Sequence, residues 1–373
     1  MRYIWERKSW FNFKYDKAAL LKPLSDLRVL QGKLLGRAAS LDIKLETEAQ
    51  GAILVEESVR TAEIEGQKLS RDAVRSSVAV RLGLPHGVGV HDRNVEGLVD
   101  LLLDAVRNYN KSLTLERLNG WHAALFPSGY SGLRKIKTGK LRGDAPMQIV
   151  SGPIGKEKVH FEALPRTRLN EEMRLFLKWW NSSQGSMDGI LRAAAAHLRF
   201  VTIHPYEDGN GRLARALTDM ALAQDEKLKV RFYSVSSEIM RSRNEYYKIL
   251  EDVQRCRIDA EEWFLWFIRC VTASIKHSGD IIADVFARLD FWNKHSQVGL
   301  NERQKKVISR ILEAGKGNFI GGLTTRKYVG ITKVSRATAF REIADMLDKK
   351  ILRQLPGKGR SAHYDLVWPK VNQ

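Results

Sequence analysis

Residues 203 to 215 read IHPYEDGNGRLAR and gather the groups needed to handle a nucleotide. His204 is a side chain able to accept a hydroxyl proton near neutral pH, and the ring of Pro205 fixes the direction of the chain just after it. Asp208 sits where a helix N-cap belongs, and Gly209, Asn210 and Gly211 open a helix whose first amides are little shielded by side chains. An anion can approach such amides closely. Arg212 and Arg215 are three apart, share a helix face and offer a fork of donors to phosphate oxygens beyond the amides. Asp208 could hold Mg²⁺, which binds polyphosphate through few protein carboxylates. Together these residues point to transfer of a phosphate-linked group to a hydroxyl.

Other phosphate signatures are missing or weak. No GxxxxGK[ST] occurs, and GNGRLA fits GxGxxA without the preceding strand that a dinucleotide fold requires.

The elements around this stretch read as helices. Met187 to Ile203 is apolar nearly all round, which predicts a buried central helix that delivers His204 rigidly. Amphipathic spacing predicts helices over Leu20 to Leu45, Thr47 to Glu65, Asn94 to Tyr109, Leu115 to Leu125 and Leu169 to Asn181. Leu69 and Ser70 form a staple and cap for another running to Arg81, before the Gly/Pro breaker LGLPHGVGV at 82–90. Met147 to Val150 and Val159 to Phe161 flank SGPIGKEK as a hairpin lying on the helical body. VRFYSV (230–235) reads as a strand. His122 and His197 read as packed core histidines, and the N-terminal Tyr3, Trp5, Trp10, Phe11, Phe13 and Tyr15 as a cluster docked on the rest of the protein.

The stretch IHPYEDGNGRLAR resembles the signature of Fic proteins, HPFx(D/E)GNGRxxR, departing from it only at Tyr206 where Phe is usual. The resemblance implies a mainly α fold, with a Fic-type helical core and a small β-hairpin flap, that transfers AMP from ATP to a protein hydroxyl. It implies that His204 is the general base and Asp208 the Mg²⁺ ligand. Gly209, Asn210 and Gly211 would cradle phosphate, and Arg212 and Arg215 would grip it. TAEIEG resembles the family's inhibitory motif (S/T)xxxE(G/N), with Thr61, Glu65 and Gly66 in its places. This implies that Glu65 pairs with Arg215 where the γ-phosphate of ATP would lie. Tyr246 or Tyr247 could stack on adenine, as similar positions do in the family. The hairpin's position resembles the Fic flap, which implies an edge that pairs with the target protein.

The chain has 373 residues and a net charge of +19, which implies two or three domains and acidic partners such as nucleotides or nucleic acid. Residues 300–373 hold sixteen Lys or Arg against six Asp or Glu. Their pattern of three helices and two strands resembles a winged helix-turn-helix, with Arg336, Thr338 and Arg341 on the recognition helix and Lys358 and Arg360 in the wing. Only two cysteines, Cys256 and Cys270, occur, which argues against a disulfide framework or a cysteine metal site.

The expected domains are an N-terminal helical region with an inhibitory helix (1–90), a catalytic core (91–295) and the winged helix (296–373). The expected function is a protein adenylyltransferase restrained by Glu65, using ATP and Mg²⁺ on a Ser, Thr or Tyr hydroxyl of a target protein, itself included. The alternatives are a DNA-binding regulator with a nucleotide-sensing core and a hydrolase that removes AMP. MRYIWERKSWFNFKYD lacks an apolar leader core, so a cytoplasmic protein without a membrane partner is expected. DNA and a second copy of the chain are the other candidate partners.

Overall fold

Asp, Ser and Thr side chains mark where the helices begin. Asp16 caps α1 (Lys17–Ala38), and Asp42 caps α2 (Ile43–Ile64) by accepting from the Leu45 amide at 2.8 Å. Ser70 caps α3 (Arg71–Leu82), Asp92 caps α4 (Arg93–Arg107) and Thr114 caps α5 (Leu115–Leu125). Leu20 to Leu45, read as one helix from its leucine spacing, is broken at Ala38. The Asp42 carboxylate satisfies the amides of a new helix start instead of letting the first helix continue.

The computed structural model describes residues 2–85, 92–151, 158–257, 259–356 and 362–368. It divides into two compact units, Met1–Gly279 and Asp280–Gln373. In the first unit α5 is followed by two small antiparallel pairs. These are β1 (Tyr130–Ser131) with β2 (Arg134–Lys135), and β3 (Gln148–Ser151) with β4 (Lys158–Glu162), whose register shifts between Ile149 and Val150. Residues 152–157, the predicted turn of that hairpin, lie outside the described residues, as do residues 86–91 of the LGLPHGVGV breaker.

Helices α6 (Arg166–Ser182), α7 (Gly189–Ile203), α8 (Asn210–Glu226), α9 (Val235–Arg241), α10 (Arg243–Gln254) and α11 (Ala260–Ile281) complete the body. As its all-round apolar sequence requires, α7 is buried along its whole length from Ile190 to Ile203. Side chains such as Leu198, Phe200 and Ile203 are wholly inaccessible, and each stabilises the fold by roughly 2 kcal/mol relative to exposure. With α8 it forms an antiparallel hairpin at the centre of the unit. VRFYSV is not a strand. Arg231 and Tyr233 turn inward onto the Glu226 carboxylate, and Ser234 caps α9, so the backbone never reaches a partner edge.

The N-terminal aromatics do dock. Trp5 Nε1 donates to the Glu162 carbonyl at 2.7 Å, and the Tyr3 ring meets Phe161 edge-on at 5.4 Å. Both contacts brace β4 from outside. The guanidinium of Arg199 packs over the rings of Phe11, Phe13 and Trp179.

The second unit holds α12 (Ala283–Lys294), α13 (Glu302–Ala314), α14 (Thr325–Thr332) and α15 (Arg336–Asp348), then β5 (Leu352–Gln354) antiparallel to β6 (Tyr364–Leu366). Val307, Ile311, Tyr328, Ile343, Met346 and Leu366 form its core. Asn301 and Gln304 make a reciprocal capping box for α13, and Ser335 caps α15. Lys358 and Arg360 lie outside the described residues. No helix among the described residues is long and apolar enough to cross a membrane.

Candidate active site

The α7–α8 loop carries the chemistry. α7 ends at Ile203, and His204 enters the left-handed region with φ 51°, an uncommon conformation for a residue with a side chain. Something must hold it there, and Arg142 does. Its amide donates to the Pro205 carbonyl at 2.9 Å, its Nε to the His204 carbonyl at 2.9 Å, and a terminal nitrogen to the Leu164 carbonyl at 2.5 Å. Arg142 is buried, and burial lowers its pKa. The His204 Nδ1 lies 3.3 Å from the Val201 carbonyl, which places the ring proton on Nδ1 and leaves Nε2 as a free lone pair. Desolvation, with the nearby Arg142 charge adding to it, pulls the imidazole down to about 4. It is therefore neutral and able to accept a proton at physiological pH.

Asn210 locks the rest of the loop. Its side chain accepts from the Tyr206 amide at 3.0 Å and donates to the Tyr206 carbonyl at 2.8 Å, so the group turned to solvent at this position is backbone. Tyr206 is fully buried, stacks on His122 at 4.3 Å, and its hydroxyl donates to Asn119. The tolerated Phe-to-Tyr departure thus has a hydrogen-bond partner for the extra oxygen. His122 accepts from the Gly139 amide through Nδ1, so its Nε2 donates to the Asp208 carbonyl at 3.2 Å.

The helix cap differs from the sequence expectation. Gly209, at φ 78°, occupies the N-cap of α8, and Asp208 stands one residue before it, its Oδ1 accepting from the Gly209 amide at 2.5 Å. A side chain at 209 would need that left-handed backbone and would press on Phe126 at 2.9 Å, so glycine is required there. Because Asp208 is not tied up as a cap, its carboxylate projects toward the Ser131 hydroxyl, which donates to Oδ2, and towards the cavity.

Two arginines close the far end. Arg215 donates from Nε to the Thr61 hydroxyl at 2.6 Å and from one terminal nitrogen to both the Thr61 carbonyl, at 3.0 Å, and Glu65 Oε1, at 2.7 Å. Burial opposes the charge on Arg215, but the Glu65 carboxylate outweighs it and holds the guanidinium above its ordinary pKa. Burial dominates at Arg212 and lowers its pKa. That side chain donates to Gln67 at 3.0 Å and lies over the Phe126 ring. Arg212 Nε and the second terminal nitrogen of Arg215 are buried donors without a partner among the described residues. Buried donors left open in this way fit a site shaped for anionic oxygens.

Glu65 reaches Arg215 because α2 ends on a Schellman turn. The Gln67 amide donates to the Ala62 carbonyl, and Gly66 takes φ 79°. From there the carboxylate lies against the start of α8. A Cβ on Gly211 would fall 2.1 Å from Glu65 Oε1. Two α10 side chains, Arg243 and Tyr247, both donate to the Ile64 carbonyl, at 2.8 Å and 3.0 Å, and fasten the same helix end. Tyr246 is instead a core residue, its hydroxyl 2.9 Å from His197 Nε2.

Glu65, His204, Asp208, Gly209, Asn210, Gly211 and Tyr247 all line one cavity of about 890 Å³, roofed by β3 and β4. Thr61, Arg212 and Arg215 are buried behind it, and Gly66 stands exposed at the end of α2, where its turn sets the direction of Glu65. The structure adds Arg142, Ser131, Gln67 and Phe126, which carried no signal. Arg142 sits among other basic residues in KIKTGKLRGD and is distinguished only by what it touches 62 residues away.

Fold and site define a helical domain with one cavity lined by a neutral imidazole, the Asp208 and Glu65 carboxylates and the start of α8. Residues 112–222 match the Fic/DOC family, so the chain carries a Fic/DOC family domain, and residues 3–84 match a domain of unknown function, DUF4172. A 53-residue stretch is 43% identical to protein adenylyltransferase fic-1 of Caenorhabditis briggsae and a stretch of the same length 42% identical to that of Caenorhabditis elegans. These matches cover 14% of this chain and 10% of either relative. Among solved structures, a Fic family protein from Desulfovibrio desulfuricans G20 is similar with a TM-score of 0.60 at 16% identity, over 95% of this chain and 97% of that one. A Fic domain containing signaling protein from Bacteroides thetaiotaomicron VPI-5482 gives 0.53 at 16% identity, over 71% and 96%. At such identities the likeness is one of fold.

Proposed function

We propose that the Fic/DOC domain is a protein adenylyltransferase that moves AMP from ATP to a hydroxyl of a protein and is restrained by Glu65. The observation that carries this reading is the single cavity in which a neutral His204 with a free Nε2 faces the same space as the start of α8. The target's hydroxyl oxygen attacks the α-phosphorus while His204 Nε2 takes its proton. The bond from that phosphorus to the bridging oxygen breaks and pyrophosphate leaves toward Arg212 and Arg215. Backbone amides at the start of α8 and the open guanidinium donors stabilise the charge that develops on the phosphate oxygens. The Asp208 carboxylate, which accepts from the Gly209 amide and the Ser131 hydroxyl and lines the cavity, suits Mg²⁺, which would neutralise phosphate charge. Most of the rate comes from positioning and charge, as in other phosphoryl chemistry.

Glu65 holds the Arg215 donor that a third phosphate would need, which leaves ATP without a productive seat. Replacing it (Glu65→Gly) is expected to raise incorporation of label from α-labelled ATP into the protein itself. Unchanged incorporation removes the restraint from the reading. Adding His204→Ala in that background is expected to abolish transfer while ATP still binds, and retained transfer would mean another base. Incubation with an AMP-modified protein reads the reverse reaction in the same assay.

A further inference from the structure

We propose that the exposed face of α15 docks in the major groove of duplex DNA, with Arg336 and Arg341 on the backbone and Phe340 against a thymine methyl. This rests on the second unit alone and stands or falls independently of the catalytic reading.

The charge arrangement selects an anionic partner. Of the six acidic residues in 300–373, five are already held by a basic neighbour: Glu302 by Lys305, Glu313 by Arg310, Glu342 by Arg303, Asp345 by Lys349 and Asp365 by Arg353. Glu342, the one buried acid among these, also accepts from Asn301 and the Tyr328 hydroxyl. Arg326, Lys333, Arg336 and Arg341 are exposed and, among the described residues, have no carboxylate within ion-pair distance. They lie on α14, on α15 and at the turn between them, so four exposed cations without an acidic neighbour follow one another along one pair of helices. A basic stripe of this kind is the electrostatic footprint of a polyphosphate chain.

The shape of α15 selects the duplex and the groove. One face of the helix, Ala339, Glu342, Ile343 and Met346, is buried in the core of the unit. The outward side presents Ala337, Phe340 and Arg341, with Arg336 exposed at the first position of the helix and the half-buried Ala344 one turn on. Phe340 is 65% exposed, flanked by cations and by alanines too small to cover it. A helix whose outer face is low except for one aromatic and two guanidiniums fits the roughly 12 Å width of the major groove. There a Phe ring meets the thymine methyl and guanidiniums take phosphate or guanine. The deep, narrow major groove of A-form RNA excludes such a helix.

The test is fluorescence anisotropy of the full chain with labelled 20-bp duplexes enriched from a random pool. At 50 mM salt the chain is expected to bind duplex DNA, with affinity falling roughly hundredfold by 200 mM as counterions are released. Arg336→Ala and Arg341→Ala should each lower the salt slope by about one. Replacing thymine by deoxyuridine in the enriched site should weaken binding roughly tenfold, and Phe340→Ala should erase that difference. All three side chains are exposed, so circular dichroism melting should report the variants folded. Equal affinity for an RNA duplex of the same sequence overturns the proposal, as does binding unmoved by both arginine changes. Indifference to the thymine methyl overturns the base contact. Enrichment of no duplex at 50 mM salt would mean that this face serves a protein, and would also overturn it.

Discussion

The molecule has two sets of arginines for which anionic partners are proposed, and they are held in opposite ways. Arg212 and Arg215 have side chains 5% and 1% exposed, with one donor of Arg212 tied to Gln67, three bonds from Arg215 to Thr61 and Glu65, and other donors open. Arg336 and Arg341 stand in solvent on α15. The buried set has its geometry fixed before a ligand arrives, at the expense of desolvating two cations, so it can discriminate a phosphate placed to within an ångström. The exposed set is screened by solvent and salt, and suits a long polyanion met through its field. The proposed restraint rests on the same difference. A buried, pre-aimed guanidinium can be taken out of use by one carboxylate such as Glu65.

The sharpest way to break this contrast is Arg215→Met. It removes the donor to Glu65 and both bonds to Thr61, leaving the Thr61 carbonyl and the Glu65 carboxylate without their partner. A loss of about 3 kcal/mol of stability is expected, with transfer falling at least about a hundredfold even when Glu65 is also replaced. Urea denaturation and labelled-ATP transfer measure the two. A variant that melts like wild type would show that Arg215 is no more built into the fold than a surface arginine.

The second effect concerns the other wall of the cavity. Arg142→Met removes the two side-chain hydrogen bonds to the His204 and Leu164 carbonyls, together with a positive charge that helps keep the imidazole low, and leaves the backbone bond to Pro205 in place. Transfer in the Glu65→Gly background is expected to fall roughly a hundredfold, the effect of an ångström of misplacement. The pH profile gives the sign. In the proposed mechanism the base is neutral His204, so rate is lost as pH falls through its pKa, which lies at about 4 with Arg142 present. Removing a nearby cation makes protonation easier, and the acid limb of kcat/KM should move to higher pH. Arg142→Lys should keep the limb low while restoring little of the geometry. An acid limb that stays in place in the methionine variant would leave Arg142 a purely structural residue.

Much of this site was legible because its parts are local. The unbroken apolar character of α7 forced it to the centre, Ser70 announced α3, and Gly66 ended α2 with Glu65 at its last turn. The partners of those elements were a different matter. Arg142, Ser131 and Phe126 act across the fold on residues far along the chain, and nothing in their own neighbourhoods sets them apart. VRFYSV misled because strand propensity is carried by the same aromatic and branched side chains that α9 and Glu226 bury here in a turn. The cap was misplaced by one residue for a backbone reason. Gly209 takes the left-handed turn itself, which frees Asp208 to face the cavity.

The smallest effect gives the cleanest test of the contrast. Arg336→Ala changes an exposed helix position in which, among the described residues, the guanidinium has no carboxylate partner. Arginine and alanine have nearly equal helix propensity, and the core beneath, at Ala339 and Ile343, is untouched. Stability should therefore stay within about 0.5 kcal/mol of wild type, and labelled-ATP transfer should not change. Equilibrium urea unfolding at 50 and 500 mM salt checks this. If α15 instead relied on that cation, the variant would lose stability and added salt would reproduce the loss in the parent. The exposed set would then be part of the fold, as Arg215 is, and its freedom to meet another molecule would vanish.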